Sequence, residues 1–227
     1  MSGRAGAAWS AEPLGERLLL LRLGATIDAT LSARVHALAA ALRTADLDGI
    51  VDLVPAYASL AVHYDPLAWS DGDEAPWRRL EHALRKHAST VPPAPASRIV
   101  EIPVRYGGDD GPDLELVARR AGFEVEEVVR RHAGAAYRVA MLGFAPGFPY
   151  LLGLDPALQL PRRSEPRLRV PAGSVAIGGA QTGIYPRELP GGWHLVGRTP
   201  LSLFDPASES PCLLAPGDEV RFQPLQR

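Results

Sequence analysis

A chain of 227 residues, 46% hydrophobic and 22% charged, has the totals of an ordinary globular protein, long enough for one large domain or two small ones. Its formal net charge of -2 gives no electrostatic footprint for nucleic acid or an anionic membrane, and its single cysteine, Cys212, excludes an intrachain disulfide and a cysteine-built zinc site. The first residues lack a signal-peptide apolar core and no run reaches the ~20 apolar residues of a membrane helix, so the expected location is the cytoplasm.

In chain order, "ERLLLLRLG" (Glu16 to Gly24) reads as a buried strand closed by glycine. Asp28 is a candidate N-cap for "DATLSARVHALAAALRTA", which places Leu31, Val35, Leu38, Ala39 and Leu42 at helical spacing. "GIVDLVPAY" and "SLAVHYD" form an expected hairpin around Pro55. After the polar loop "SDGDEAP", a second helix starts at Pro76 with Trp77, Leu80 and Leu84 on one face. The Pro-rich connector "TVPPAPAS" leads to a strand at "RIVEIPVRY" (Arg98 to Tyr106). Strand, helix, strand, strand, helix, strand is the split βαβ order of a ferredoxin-like sandwich, which predicts an N-terminal α/β domain over 1–106.

Two short helices follow, "GPDLELVARRAG" and "EVEEVVRRHAG", each expected to close on its glycine, Gly122 or Gly134; they form a bridge over 107–135. Beyond it the texture is β-rich, and 13 of the 22 prolines fall after residue 135, where helices are hard to sustain. Short strands with Gly/Pro punctuation predict a barrel or sandwich over 136–227. The predicted fold class is therefore α+β.

The common enzyme motifs are absent. There is no G-x-x-x-x-G-K-[ST] loop, and "GGAQTG" is not G-x-G-x-x-G, so neither a P-loop nor a Rossmann turn is supported. "AGSVAIGG" lacks the second glycine that a nucleophile elbow at Ser174 requires. The six histidines form no H-E-x-x-H, and His82 and His87 diverge around a helix; no metal is expected.

Three stretches carry positive signals. "LGFAPGFPYLLGLD" sets Phe144, Phe148 and Tyr150 among glycines and prolines, as a buried aromatic corner or as a surface for stacking on a ligand. "LPRRSEPRLRVPAG" puts Arg162, Arg163, Arg167 and Arg169 within eight residues with only Glu165 opposing, either a solvated strand edge or an anion-seeking surface. "VAIGGAQTGIYP" interleaves Gly178, Gly179 and Gly183 with Gln181, Thr182 and Tyr185. A hairpin needs one or two glycines, so the excess predicts a close backbone approach or a small nest of N–H groups.

These stretches, with "PGGWHLVGRTPLSLFDP", "VDLVPAYASLAVHYDP" and "EVVRRHAGAAYRVAMLGF", resemble a bacterial family known as the 5-oxoprolinase B subunit, allophanate hydrolase subunit 1, or the Kip-type inhibitor of a sporulation histidine kinase. The resemblance covers essentially the whole chain. It implies a cyclophilin-like β-barrel at the C-terminus and a homologous partner, the 5-oxoprolinase C subunit. With the further A subunit, the complex would be an ATP-dependent amidohydrolase that opens 5-oxoproline to glutamate, this chain being inactive alone. ATP is implied for the complex without a site in this chain. Carried over to this sequence, the resemblance implies His132 and Tyr137 as catalytic residues. Substrate would be bound by Arg163, Arg169, Gln181, Thr182, Gly183, Tyr185 and Arg198. For His132 a structural link between bridge and barrel is the other reading. The alternatives for the whole protein are an inhibitor docking a histidine kinase through the barrel, or one component of a urea- or allophanate-metabolising enzyme. A cyclophilin-type prolyl isomerase would share only the barrel.

Overall fold

Among the described residues, four strands and two α-helices build the first of two units into which the chain divides, Met1–Ala96 and Ser97–Arg227. The computed structural model describes residues 9–88 and 97–225, so the start of the chain and all of the Pro-rich connector but Ser97 lie outside the described residues. The first unit runs β1 (Ser10–Pro13), β2 (Leu18–Arg22), α1 (Ala29–Ala45), β3 (Ile50–Pro55), β4 (Ser59–Tyr64) and α2 (Pro76–Ala88). The carboxylate of Asp28 accepts the Leu31 N–H at 2.9 Å, satisfying one of the donors that a helix start leaves orphaned. Period-2 alternation turns Leu19 and Leu21 of β2, and Leu60 and Val62 of β4, into one core with Val35, Leu38 and Leu42 of α1 and Leu80 and Leu84 of α2.

The sheet order is β1-β2-β4-β3, antiparallel throughout. This is the arrangement of a split βαβ sandwich with one correction: the fourth strand is the N-terminal β1, not the segment after α2. That segment, β5 (Ile99–Tyr106), has two neighbours in the second unit, a parallel one from Glu219 to Pro224 and an antiparallel one at Gly197 and Arg198. Its inward side chains Ile102 and Val104 are fully buried in that unit's core, which is what holds the strand there.

The second unit continues through α3 (Leu114–Ala121), α4 (Val125–Gly134), β6 (Tyr137–Leu142), β7 (Pro149–Leu152), β8 (Arg167–Val170), β9 (Ser174–Gly178), β10 (Gln181–Ile184), β11 (Leu189–Gly191), β12 (His194–Arg198) and β13 (Glu219–Pro224). Seven strands close a barrel in the order β10-β7-β6-β13-β5-β12-β9, while β8 and β11 pair separately as a two-stranded arm. The barrel is thus assembled from both ends of the unit, and the two helices expected as a bridge belong to it. Val117 of α3 and Val128 of α4 are buried in the same core as Val139, Leu151, Ile177 and Phe222 of the barrel. Gly122 closes α3 in the left-handed conformation (φ 73°) with its N–H on the Ala118 carbonyl, as expected. Gly134 does not play that part: α4 runs through it and stops at Ala135, whose backbone is extended.

Candidate functional site on the outer face of the barrel

Alternation along β10 divides the predicted site between two sides of one strand. Thr182 and Ile184 point into the barrel, whereas Gln181, Gly183 and then Tyr185 point outward. The inward and outward groups therefore have different chemistry.

Inside, His132 has no solvent exposure. Its Nδ1 lies 2.8 Å from the Tyr106 hydroxyl and its Nε2 3.0 Å from the Thr182 hydroxyl. Thr182 donates its own proton to the Ala176 carbonyl at 2.9 Å, so it accepts from His132, which assigns the proton to Nε2 and leaves Nδ1 as acceptor for Tyr106. Burial pushes the imidazole down to about 3. The ring stacks on Phe222 at 4.8 Å. Tyr137 is equally buried and donates to the His132 carbonyl at 2.8 Å, capping a carbonyl in the last turn of α4; burial raises its phenol above the ordinary value. The family resemblance implies a catalytic role for both residues. In this geometry they act as a link: a buried, neutral imidazole with both nitrogens occupied joins the helix to the barrel wall.

Outside, the hairpin is floor rather than nest. A Cβ at Gly178 would meet the Trp193 ring at 2.5 Å, and one at Gly183 would meet the Pro149 carbonyl at 2.8 Å and the Phe148 ring at 3.0 Å. Gly179 makes the turn at φ 64°. The excess glycines are thus explained by two aromatic rings lying flat on the sheet and one tight turn. Gly183 is closed to a ligand, and so are the backbone groups expected to hold one. Gly178→Ala is accordingly expected to destabilise the protein by about 2 kcal/mol, an overpacking cost, read as a lowered urea midpoint at unchanged slope.

The rings form a cluster centred on buried Phe148, with Tyr150, Tyr185, Phe144 and Trp193 at centroid distances of 5.0, 5.2, 5.4 and 5.7 Å. Phe144 is the exception in exposure, at 60%. It also has φ 66°, and the Ala145 N–H bonds back to the Gly143 carbonyl at 2.7 Å across it, a γ-turn of the rare positive-φ kind. A positive φ costs a bulky residue free energy, so the turn at Phe144 is held by its surroundings rather than by local preference.

The arginines sort themselves. Arg163 and Arg167 both bind Asp113, at 3.2 and 2.8 Å, and that carboxylate also accepts the Leu195 N–H at 2.8 Å. Arg198 pairs with Asp110 at 3.3 Å, sharing it with Arg105 across the β5–β12 pair. Arg169 stands exposed on β8, 3.7 Å from Glu188. So Arg163 and Arg198, both predicted to bind substrate, are committed to carboxylates of this chain, whereas Arg169, also predicted, makes only a solvated surface contact. Arg162 is the one of its block with no carboxylate partner among the described residues, and its guanidinium lies over Trp193, 5.7 Å from the ring centroid. In the sequence Arg162 stands out only as part of a charged run, and Asp113 and Tyr106 do not stand out at all. Among the described residues no group of three or more His, Cys, Asp or Glu side chains could hold a metal, and no helix is long and apolar enough to cross a membrane.

Fold and face together define the class: an α+β protein whose barrel unit carries a packed aromatic cluster on its outside, Phe144 alone being exposed, with no phosphate loop in its sequence. The chain belongs to the carboxyltransferase-domain family, subdomain C and D, whose model matches residues 9–214. It is 44% identical to the 5-oxoprolinase B subunit of Bacillus subtilis (strain 168) over 93% of this chain and 90% of that one. It is also 44% identical to the 5-oxoprolinase B subunit of Escherichia coli O157:H7, over 93% of this chain and 94% of that one. The crystal structure of TTHA0988 superposes with a TM-score of 0.79 at 45% identity, over 93% of this chain; the chain spans only 40% of that longer protein.

Proposed function

We propose that this chain is the B subunit of an ATP-dependent 5-oxoprolinase, acting in the cytoplasm in a complex with the C and A subunits and inactive alone. The observation that carries the reading is 44% identity, over nearly the full length of both chains in each comparison, to two relatives of that name. In the reaction, water adds to the lactam carbonyl, the ring C–N bond breaks to give glutamate, and ATP is split to ADP and phosphate. This chain's contribution is recognition. Exposed Phe144 and half-buried Tyr150 offer apolar area to a small, partly apolar ring, and Gln181 offers an amide, as ligand surfaces of this kind do. Of the three hairpin glycines, Gly178 and Gly183 are filled by Trp193 and Phe148 and only Gly179 stands open, too little to cradle a triphosphate, so no step is routed through ATP on this hairpin.

The test is glutamate formation and ATP hydrolysis dependent on 5-oxoproline, measured with this protein alone and after adding its cognate A and C subunits. Turnover is expected only in the full mixture, and Gln181→Ala is expected to lower it about 10-fold or more with the complex still assembled, the loss of one well-placed hydrogen bond. An assembled complex that leaves 5-oxoproline and ATP untouched overturns the reading.

A further inference from the structure

We propose that Arg162 recognises the carboxylate of the ligand on the barrel's outer face, and that Asp113 places it there by holding its neighbours Arg163 and Arg167. The proposal rests on the reading above for the ligand's identity, though not for its charge.

Four observations converge on Arg162. Its backbone is pinned on both sides: His194 Nε2 donates to the Pro161 carbonyl at 2.9 Å, and the Arg163 N–H donates to the Gly192 carbonyl at 2.8 Å. Asp113 then draws off the two arginines that could compete for the same space or the same ligand. Asp113 is itself 5% exposed and bonded to the Leu195 N–H, so this anchor belongs to the framework of the unit. Finally, Arg162 lies over Trp193 with no acidic partner among the described residues. A guanidinium over an indole keeps its N–H edge available, and that edge matches a carboxylate in two parallel hydrogen bonds.

The surroundings fit a small cyclic carboxylate. The positive charge of Arg162 reaches the phenols of Tyr150 and Tyr185, where it opposes the upward push of burial, so all three groups share one locality. Tyr150 packs against Trp193 at 5.9 Å, and exposed Phe144 stands edge-on to Tyr185 at 6.4 Å. A five-membered ring with one carboxylate has an apolar edge for exposed Phe144 and half-buried Tyr150 and a charge for Arg162. Serial placement explains why arginines adjacent in sequence have opposite fates: Arg163 turns to Asp113 while Arg162 turns to the rings.

The experiment is an NMR titration of the full chain with three probes. They are 5-oxoproline, 2-pyrrolidinone (the same lactam without the carboxylate) and cyclopentanecarboxylate (the carboxylate without the lactam). Both carboxylates are expected to bind more tightly than 2-pyrrolidinone. Arg162→Ala should weaken both by about 10-fold to 100-fold and leave the neutral lactam unchanged, the range for losing a charge-assisted pair. Arg162→Lys should restore part of the loss, and Arg221→Ala, a charge removed from the exposed side of β13, should cause none. Asp113→Asn should weaken the two carboxylates selectively; equal weakening of all three probes would give Asp113 a merely structural role and overturn the positioning half. Undiminished binding of 5-oxoproline to Arg162→Ala overturns the proposal while the 5-oxoprolinase reading stands. Arg162-dependent binding of cyclopentanecarboxylate, with 5-oxoproline no better than 2-pyrrolidinone, upholds the proposal and sinks that reading. No binding of any probe counts against Arg162 as well, because its guanidinium is already in place in the single chain.

Discussion

Asp113→Ala is expected to cost about 3 kcal/mol of stability, the low end for removing one partner of a buried ion pair, because Arg163 and Arg167 each keep about a quarter of their side chains in solvent. The substitution strands two guanidinium groups and the buried Leu195 N–H at once. The main chain of Asp113 also donates to the Leu195 carbonyl at 2.9 Å, so the residue is stitched to β12 by both backbone and side chain, and the substitution removes only the second link. Asp113→Asn keeps an acceptor for Leu195 and should lose about half as much, since it removes the charge but not every hydrogen bond. Urea denaturation at neutral pH measures both. Burial pushes the Asp113 carboxyl up, but the Arg167 hydrogen bonds, the Leu195 N–H and the two positive charges outweigh it and hold the group below its ordinary 3.8. Its stabilisation is therefore complete above that value and is lost as pH falls through the lowered one. A loss under about 1 kcal/mol for Asp113→Ala would show that the arginines find other acceptors and that the segment before β8 is not held by this carboxylate.

Much of the fold was legible from periodicity and caps. The Asp28 cap, the apolar stripe of α1, the Pro55 hairpin and the Leu80–Leu84 face of α2 all lie where spacing puts them. What spacing could not supply was the partner of a strand. "RIVEIPVRY" has the right composition for the edge of the N-terminal sheet and for a wall of the barrel alike. Its pairing with Glu219–Pro224, more than a hundred residues on, and with β12 decides between them. The short "SAEP" strand that takes the vacant edge has no strand-like pattern at all and is recruited by pairing with β2.

The site was legible as a region but not residue by residue. Composition points to the aromatic, arginine and glycine stretches, and the structure gathers them on one unit. Which arginine is available is decided by a carboxylate some fifty residues upstream, in a segment that reads only as the start of a helix. The spacing of the glycines suggests room for a ligand, whereas the room is taken by Trp193 and Phe148. The alternation of β10 is visible in the sequence and could have separated Thr182 from Gln181 and Tyr185. Adjacency groups the three in one motif, although adjacent strand residues face opposite ways.

His132 gives the second large expected effect, and it bears on catalysis as well as stability. In the folded protein the imidazole stays neutral down to about 3, whereas in the unfolded chain it takes a proton near 6.5. Between those values the unfolded state binds one more proton than the folded state, so acid favours unfolding and stability falls by about 1.4 kcal/mol per pH unit below 6.5. From pH 7 to 4.5 that is about 2.5 kcal/mol, most of it above the range where carboxylates such as Asp113 begin to contribute. His132→Gln can still donate to Thr182 and accept from Tyr106, but it cannot titrate. The variant should be less stable than the parent at pH 7, and the gap should narrow steadily as pH falls to 4.5, measured by urea denaturation at each pH. Parallel curves would mean that His132 is protonated in the folded state at ordinary values. It would then have the pKa of a general acid or base rather than of a buried link, and its catalytic role would have to be reopened. A narrowing gap leaves the recognition chemistry to the outer face, where Gln181 and Arg162 stand.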